Sequence, residues 1–279
     1  MTPSPSSSLW LAPETPDLVW FRGADTIRFL NDLISQEIGT MESGQVARSL
    51  LLGPQGKLDH ILWVMRGDDE IRLVTDRGRG GDLAATLGRY RIRVDVEIGH
   101  TDQPAWIVVG ETAVEPGTWS MTDGGLEADV SWPGIQRTLV VGDRPDLEEG
   151  DATEYESLRI AAGEPYWGVD VDGKTIPQES GLVESTVDFT KGCYLGQELV
   201  ARIDSRGHVN RHLRILEIEG TGAEPGMSLE ADDKKVGTLT SVSNSIGLAL
   251  VRRELAPGDL VSVDGFKAVI REIPPKPQT

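Results

Sequence analysis

The spacing of hydrophobic residues predicts alternating helices and strands over the first two thirds of the chain. In GADTIRFLNDLISQEIG, apolar residues recur every three or four positions and predict an amphipathic helix that ends near Gly39. IRVDVEI, residues 92–98, alternates strictly between apolar and charged residues, which predicts a half-buried strand. DATEYESLRIAAG predicts a second helix, with Asp151 as its N-cap and Gly163 after its last turn.

The pattern changes near residue 206. Beyond it the chain consists of short β segments separated by turn residues, such as HLRILEIEG, VGTLTSV, IGLALVRR and FKAVIR, a spacing that indicates a small barrel or sandwich. We therefore expect an α+β region over 17–205 and a C-terminal β-barrel over 206–273. The termini, 1–16 and 274–279, include segments rich in Pro, Ser and Thr, and we expect both to be disordered.

Charge and cysteine content narrow the possible partners. The chain of 279 residues has 27 Lys plus Arg and 45 Asp plus Glu, so its net charge of -18 repels phosphate backbones and anionic lipid. We expect no direct nucleic-acid binding. The sequence contains no run of about twenty apolar residues, so it predicts no membrane span. A single cysteine forms no internal disulfide, which is typical of a reducing compartment, and we expect a cytoplasmic protein.

That cysteine lies in KGCYLGQE, at the start of a locally basic stretch that runs from Lys191 to Arg214. The downstream sequence GQELVARI favours a helix, so Cys193 should lie just before a helix N-terminus. The helix dipole and Lys191 would then lower the thiol pKa and make an exposed sulfur reactive. The alternative is a buried Cys193 that acts as a small hydrophobic residue in a tight turn.

KGCYLGQE, followed by LVAR, RG and RHL, closely resembles the signature of the YgfZ family, folate-binding relatives of the glycine-cleavage T-protein (aminomethyltransferase). LRIAAGEPYWGVDVDGKTIPQESGL, the first predicted helix and the C-terminal strands also resemble that family, over roughly residues 17 to 272. The resemblance implies two α+β folate-binding subdomains and a C-terminal β-barrel around a central hole that holds tetrahydrofolate. It also implies support of iron–sulfur enzymes and, through them, of tRNA modification.

The resemblance also implies roles for individual residues. Lys191 and Arg159 would hold the folate, Asp59 would face its pterin end, and Cys193 would carry thiol or redox chemistry beside it. The full set of candidate folate-binding residues is Asp59, Gln136, Arg159, Lys191, Tyr194, Arg202 and Arg206. T-proteins carry a paired acid, of the kind GG-x-x-DD, where this chain has QGKLDH, and a second carboxylate where it has Gln136. Asp59 and His60 remain a candidate acid–base pair, although strand neighbours point to opposite faces.

These departures leave more than one function open. We expect a folate-binding accessory protein in iron–sulfur cluster assembly or maintenance, with iron–sulfur client proteins as partners. The alternatives are a folate-dependent aminomethyl or one-carbon transferase and a non-catalytic interaction scaffold. One cysteine and four histidines cannot hold an iron–sulfur cluster, so we expect no intrinsic metal. GRGGDL lacks the features of a phosphate loop and should open a helix, while Trp63 and Trp167 are candidates to stack on a pterin.

Overall fold

Two five-stranded antiparallel sheets form the first two thirds of the molecule. A computed structural model describes residues 9–274, apart from the side chain of Arg206. The N-terminal sheet has the order β3-β4-β5-β2-β6. Its strands are β2 (Asp17–Arg22), β3 (Val46–Leu52), β4 (Leu58–Arg66), β5 (Glu70–Thr75) and β6 (Glu97–His100). The middle sheet has the order β1-β7-β10-β9-β8. Its strands are β1 (Trp10–Leu11), β7 (Ala105–Val109), β8 (Trp119–Thr122), β9 (Gly125–Asp129) and β10 (Arg137–Gly142).

The two sheets share one hydrophobic core. Leu50 and Val74 of the N-terminal sheet belong to the same buried cluster as Ile107 and Leu139 of the middle sheet. The helices lie between and beside the sheets and are α1 (Thr26–Asn31), α2 (Gly80–Gly88), α3 (Ala152–Ala161), α4 (Val183–Thr186) and α5 (Gln197–Arg206), with a 3₁₀ turn at Pro177–Glu179. The carboxylate of Asp151 accepts hydrogen bonds from the backbone N–H groups of Thr153 and Glu154, so the expected cap of α3 is confirmed.

The last six strands close into a barrel in the order β11-β14-β13-β12-β15-β16. They are β11 (Arg211–Ile218), β12 (Ser228–Ala231), β13 (Lys234–Ser243), β14 (Ile246–Arg252), β15 (Leu260–Val263) and β16 (Phe266–Arg271). Their alternating burial fills the barrel interior with aliphatic side chains. The expected fold, two α+β regions followed by a C-terminal β-barrel, is confirmed.

Two predicted elements are shorter than expected. The first helix ends at Asn31 instead of Gly39, because the chain beyond it turns and Ile34 pairs with Leu51 of β3. The strand expected over 92–98 is present only from Glu97, since Arg93 has a φ of +56° and Ile92 is 73% exposed. Alternation alone did not reveal that this segment crosses the surface before joining the sheet.

Part of the N-terminus that was expected to be disordered is instead ordered. Trp10 and Leu11 form β1, in which Trp10 pairs with Val109 of β7. Leu11 is 2% exposed, and the Trp10 ring contacts Tyr155 of α3 edge to face. Residues 1–8 and 275–279 of the two expected tails lie outside the described residues.

Candidate functional site

A cavity of about 280 Å³ lies where the two sheets meet. Its walls come from β4, β5, β7 and β10, from α3 and the segment after it, and from the link between β1 and β2. Aromatic side chains supply much of the lining, from Trp63, Tyr155, Tyr166 and Trp167. Charged residues complete it, namely Glu14, Asp76, Arg77, Arg137 and Glu164. We call this space the central cavity.

An ion pair lies at one wall of the central cavity. Arg137 donates to Glu164 Oε1 at 2.6 Å and to the Tyr155 hydroxyl at 2.9 Å. Arg137 and Glu164 are both buried, with 6% and 5% of their side chains exposed. The attraction within a buried pair of this kind offsets its desolvation fully only where further hydrogen bonds satisfy its remaining donors and acceptors.

Those remaining groups are not satisfied within the described part of the chain. Six residues that line the cavity each carry a buried polar atom without a hydrogen-bond partner there, and the atoms are Thr75 Oγ1, Asp76 Oδ2, Arg137 Nε, Glu164 Oε2, the Tyr166 hydroxyl oxygen and Trp167 Nε1. Each such atom costs about 1–3 kcal/mol when it is left unpaired. Their concentration at one aromatic-walled space is typical of a ligand site.

The carboxyl group of Asp76 has a strongly raised pKa. Burial raises the pKa of Asp76 to about 7, and the negative charge of Glu164 acts in the same direction. Burial also raises the pKa of Tyr166 well above its usual range. Perturbed acids that converge on a cavity are a frequent property of functional sites.

Asp59 does not face this cavity. It lies on β4 next to the fully buried His60, and His60 Nδ1 is 3.4 Å from Asp59 Oδ1. This interaction with the imidazole lowers the pKa of Asp59, against the opposing effect of burial. Asp59, His60 and Asp82 place one ligand-type atom each within 4.8 Å of one another. Arg79 is the positive charge among them: its Nη2 donates to Asp82 Oδ2 at 3.1 Å and lies 3.6 Å from Asp59 Oδ1.

Lys191, expected to hold a folate, instead binds the backbone of the protein. Its ammonium donates to the carbonyls of Asn31, Ile34 and Gln36 at 2.7, 2.8 and 2.8 Å. Burial lowers the pKa of Lys191 to about 8. These carbonyls follow α1, so Lys191 stabilises the turn that ends this helix and ties it to the KGCYLGQE segment.

Glycines explain the rest of that motif. Gly196 has a φ of +78°, and a Cβ there would lie 2.6 Å from the carbonyl oxygen of Gly53. The Leu195 N–H also bonds the Asp32 carbonyl, at 3.2 Å. The segment therefore docks closely on two neighbouring turns. Cys193 precedes α5, as expected, and is exposed, so the alternative of a buried turn residue is wrong. It is not among the described residues that line the central cavity.

Arg159 is fully buried and satisfied by the protein. It donates to Glu156, to the Glu164 carbonyl at 2.5 Å, to Asp170 at 2.7 Å and to Ser241 of the barrel at 2.7 Å. These contacts join α3, the segment after it and β13. Its donors are already used by protein groups and its side chain is fully buried, which disfavours the expected role in binding a folate; that role stays a prediction.

The other expected site residues are dispersed. Gln136 is exposed at the start of β10, while its neighbour Arg137 points into the cavity. Tyr194 is buried beneath the Lys191 ammonium, which lies 5.3 Å from its ring centroid. Arg202 is exposed on α5. The side chain of Arg206, at the end of the same helix, lies outside the described structure.

The acids and the arginine of the cavity were not predicted from the sequence. Asp76, Arg137 and Glu164 occur in VTDRG, IQRTLVV and AAGEPYW, where a charged residue directly adjoins an apolar strand or helix end. That adjacency was a usable signal, because a charge beside a core element is expensive unless it is paired or functional. Both tryptophans that are candidates to stack on a pterin, Trp63 and Trp167, line the cavity.

The fold is that of an aminomethyltransferase. The solved structure of the glycine cleavage system aminomethyltransferase T of Bartonella henselae superposes with a TM-score of 0.86, over 96% of this chain and 86% of the other, at 15% identity. Residues 211–275 match the CAF17 C-terminal beta-barrel domain.

Sequence comparison gives the family. The chain is 31% identical to the mitochondrial iron–sulfur cluster assembly factor IBA57 of Mus musculus, over 87% of this chain and 77% of the relative. It is 29% identical to the IBA57 of Homo sapiens, over the same shares. The chain belongs to the CAF17/IBA57 family. Among residues 9–274, no helix is long and apolar enough to cross a bilayer.

Proposed function

We propose that this protein is a folate-binding accessory factor in the assembly or maintenance of iron–sulfur clusters, of the YgfZ type within its family. The relatives named as iron–sulfur cluster assembly factors support the cellular role. The observation that supports the ligand is the group of six unpaired buried polar atoms around an aromatic cavity. Iron–sulfur client proteins would be its partners, and tRNA modification would depend on it only through them. We propose a cytoplasmic location and no direct contact with tRNA.

The chemistry of the central cavity suits a pterin. A pterin is flat and carries amino and amide N–H donors beside ring acceptors. Asp76 and Glu164 offer carboxylate acceptors, Arg137 Nε and Trp167 Nε1 offer donors, and the rings of Trp63 and Trp167 offer stacking surfaces. At about 280 Å³ the cavity is at the lower limit for small-molecule sites, about 300–1,000 Å³. It would hold the pterin head, with the glutamate tail outside.

Calorimetry with tetrahydrofolate tests this proposal. We expect saturable binding by the wild-type protein and at least tenfold weaker binding by Glu164→Gln, because a charge-assisted hydrogen bond contributes about 1.5–3 kcal/mol. Glu217→Gln is the matched control, since Glu217 is exposed on the barrel and pairs with Arg271. No heat of binding to the wild type, or equal loss in both variants, would contradict a folate site in this cavity.

Folate-dependent aminomethyl transfer is the second candidate. It is favoured by the likeness of the fold to aminomethyltransferase T. It is disfavoured by the chemistry near Asp59, whose carboxylate lies beside His60 and Arg79 instead of facing the central cavity. Release of an amine from an aminomethyl donor, measured with and without tetrahydrofolate, separates the two functions: a transferase turns over, and a binding factor does not. Absence of folate binding would leave a non-catalytic scaffold.

A further inference from the structure

Arg79 connects the start of α2 to the aromatic wall of the central cavity. Its guanidinium carbon lies 3.4 Å from the centroid of the Trp167 ring. Trp167 lines the cavity, whereas Arg79 is not among the described residues that line it. The side chain of Arg79 is 14% exposed, so the contact lies in a partly desolvated position. There a cation–π interaction is stronger than at the surface.

The guanidinium is held in place on its other side. Arg79 Nη2 donates to the Asp59 carbonyl at 2.9 Å and to Asp82 Oδ2 at 3.1 Å, and it lies 3.1 Å from His60 Nε2. Because arginine only donates, His60 Nε2 must accept, which places the imidazole proton on Nδ1, towards Asp59. Three acceptors from two elements therefore share the two hydrogens of Nη2 and hold this end of the guanidinium, while Nε has no partner among the described residues.

The Trp167 ring has no comparable anchor of its own. Its indole Nε1 is buried and has no hydrogen-bond partner among residues 9–274. The residue stands in a glycine turn, where Gly168 has a φ of +84° and Val169 is 54% exposed. The ring also packs against the hydrophobic core, and the contact with Arg79 adds a directional electrostatic restraint to that packing.

We propose that Arg79 is a positioning residue that orients the Trp167 ring for stacking on a flat ligand in the central cavity. The identity of that ligand rests on the proposed folate function. The network of Asp59, His60 and Asp82 then serves to orient Arg79. Lysine would not replace it, because an ammonium is a point charge that cannot stack and also bind several acceptors in one plane.

A double-mutant cycle tests the inference. Arg79→Met should weaken tetrahydrofolate binding about tenfold in the wild-type background. It should have no further effect in a Trp167→Phe background, which lacks the indole that Arg79 orients. Arg79→Lys should recover only a small part of the affinity. Arg144→Met is the matched control, because Arg144 contacts Trp106 at 5.5 Å, away from the residues that line the cavity, and it should leave affinity unchanged.

Near-ultraviolet circular dichroism of the unliganded protein gives an independent reading. The difference spectrum of wild type minus Trp167→Phe isolates the signal of an oriented Trp167. Arg79→Met should lose that signal while its far-ultraviolet spectrum is unchanged. If Arg79→Met does not fold, Arg79→Lys should lose the same signal.

Three results would overturn the inference: an unchanged Trp167 signal in the Arg79 variants, an equal loss of affinity in both backgrounds, or a loss as large in Arg144→Met. If the wild type does not bind tetrahydrofolate, the proposed function fails. The circular dichroism of Trp167 still decides whether Arg79 orients the ring.

Discussion

Two buried arginines of this protein differ in how completely their guanidinium N–H groups are hydrogen-bonded. Arg159 is 0% exposed and donates to Glu156, the Glu164 carbonyl, Asp170 and Ser241. Arg137 is 6% exposed and donates to Glu164 and Tyr155, but its Nε has no partner among the described residues. Glu164 joins the two, since its backbone carbonyl binds Arg159 and its carboxylate binds Arg137.

The difference separates a structural network from a candidate binding site. A complete set of hydrogen bonds around a buried charge stabilises one arrangement of the chain, here α3, the segment after it and the barrel. An incomplete set beside a cavity leaves free energy to be gained when a ligand supplies the missing partners. Removal of a fully hydrogen-bonded buried group should therefore lower stability. Removal of a buried group that lacks a partner beside the cavity should instead lower ligand affinity.

The largest effect is expected at Arg159. Arg159→Met leaves Asp170 buried without its charged partner, and breaking such a pair costs about 3–5 kcal/mol. We expect urea unfolding to show that loss, with the barrel and α3 losing their mutual contacts first. Arg271→Met, which removes an exposed barrel arginine, should change stability little. A midpoint for Arg159→Met equal to that of the wild type would show that the network is not structural.

Asp76 should make stability depend on pH. The folded state raises its pKa to about 7, so between pH 4 and 7 the unfolded chain is ionised there while the folded protein still holds the proton. Stability then falls as pH rises through this range, by up to about 4 kcal/mol. Asp76→Asn should remove that contribution and be more stable than the wild type at pH 8, but not at pH 4. Urea unfolding at both pH values measures the stability of the two proteins. The same stability difference between them at pH 4 and at pH 8 would contradict the raised pKa.

Much of the fold could be predicted from the sequence, because local patterns determine its elements. The cap of α3 at Asp151 and the closed barrel agree with the apolar spacing and turn residues. The end of α1 could not be predicted in this way. Leu30, Leu33 and Ile34 are buried as expected, yet the carbonyls beyond the helix bind Lys191, far along the chain.

The site was harder to predict than the fold. Arg137 and Glu164 are 27 positions apart, and no local pattern pairs them. Arg159 and Lys191 have the charge expected of a folate ligand, but whether a charge is already neutralised depends on tertiary neighbours. The tertiary contacts therefore decide which of these residues are free to bind a ligand.

Two buried threonines allow a smaller, matched test. Thr75 Oγ1 lines the central cavity without a partner among the described residues, whereas Thr186 Oγ1 donates to the Leu182 carbonyl at 2.8 Å. Thr75→Val should stabilise the unliganded protein by about 1 kcal/mol and weaken tetrahydrofolate binding several-fold. Thr186→Val should destabilise the protein by a similar amount and leave affinity unchanged. Thermal unfolding and calorimetry on both variants measure the contrast. Equal changes in stability and in affinity in the two variants would contradict it.

The smallest effect on fold and affinity is expected at Cys193. The thiol is exposed and is not among the described residues that line the cavity, so Cys193→Ser should change the unfolding midpoint and tetrahydrofolate affinity very little. Alkylation of Cys193 in the native protein should proceed at the same rate with and without tetrahydrofolate, since a ligand in the cavity would not cover the sulfur. Protection by tetrahydrofolate would instead mean that the ligand reaches the KGCYLGQE segment.

In cells, Cys193→Ser should reduce the activity of iron–sulfur enzymes if the thiol is used chemically, and full activity would reduce the motif to the docking role of Lys191 and Gly196.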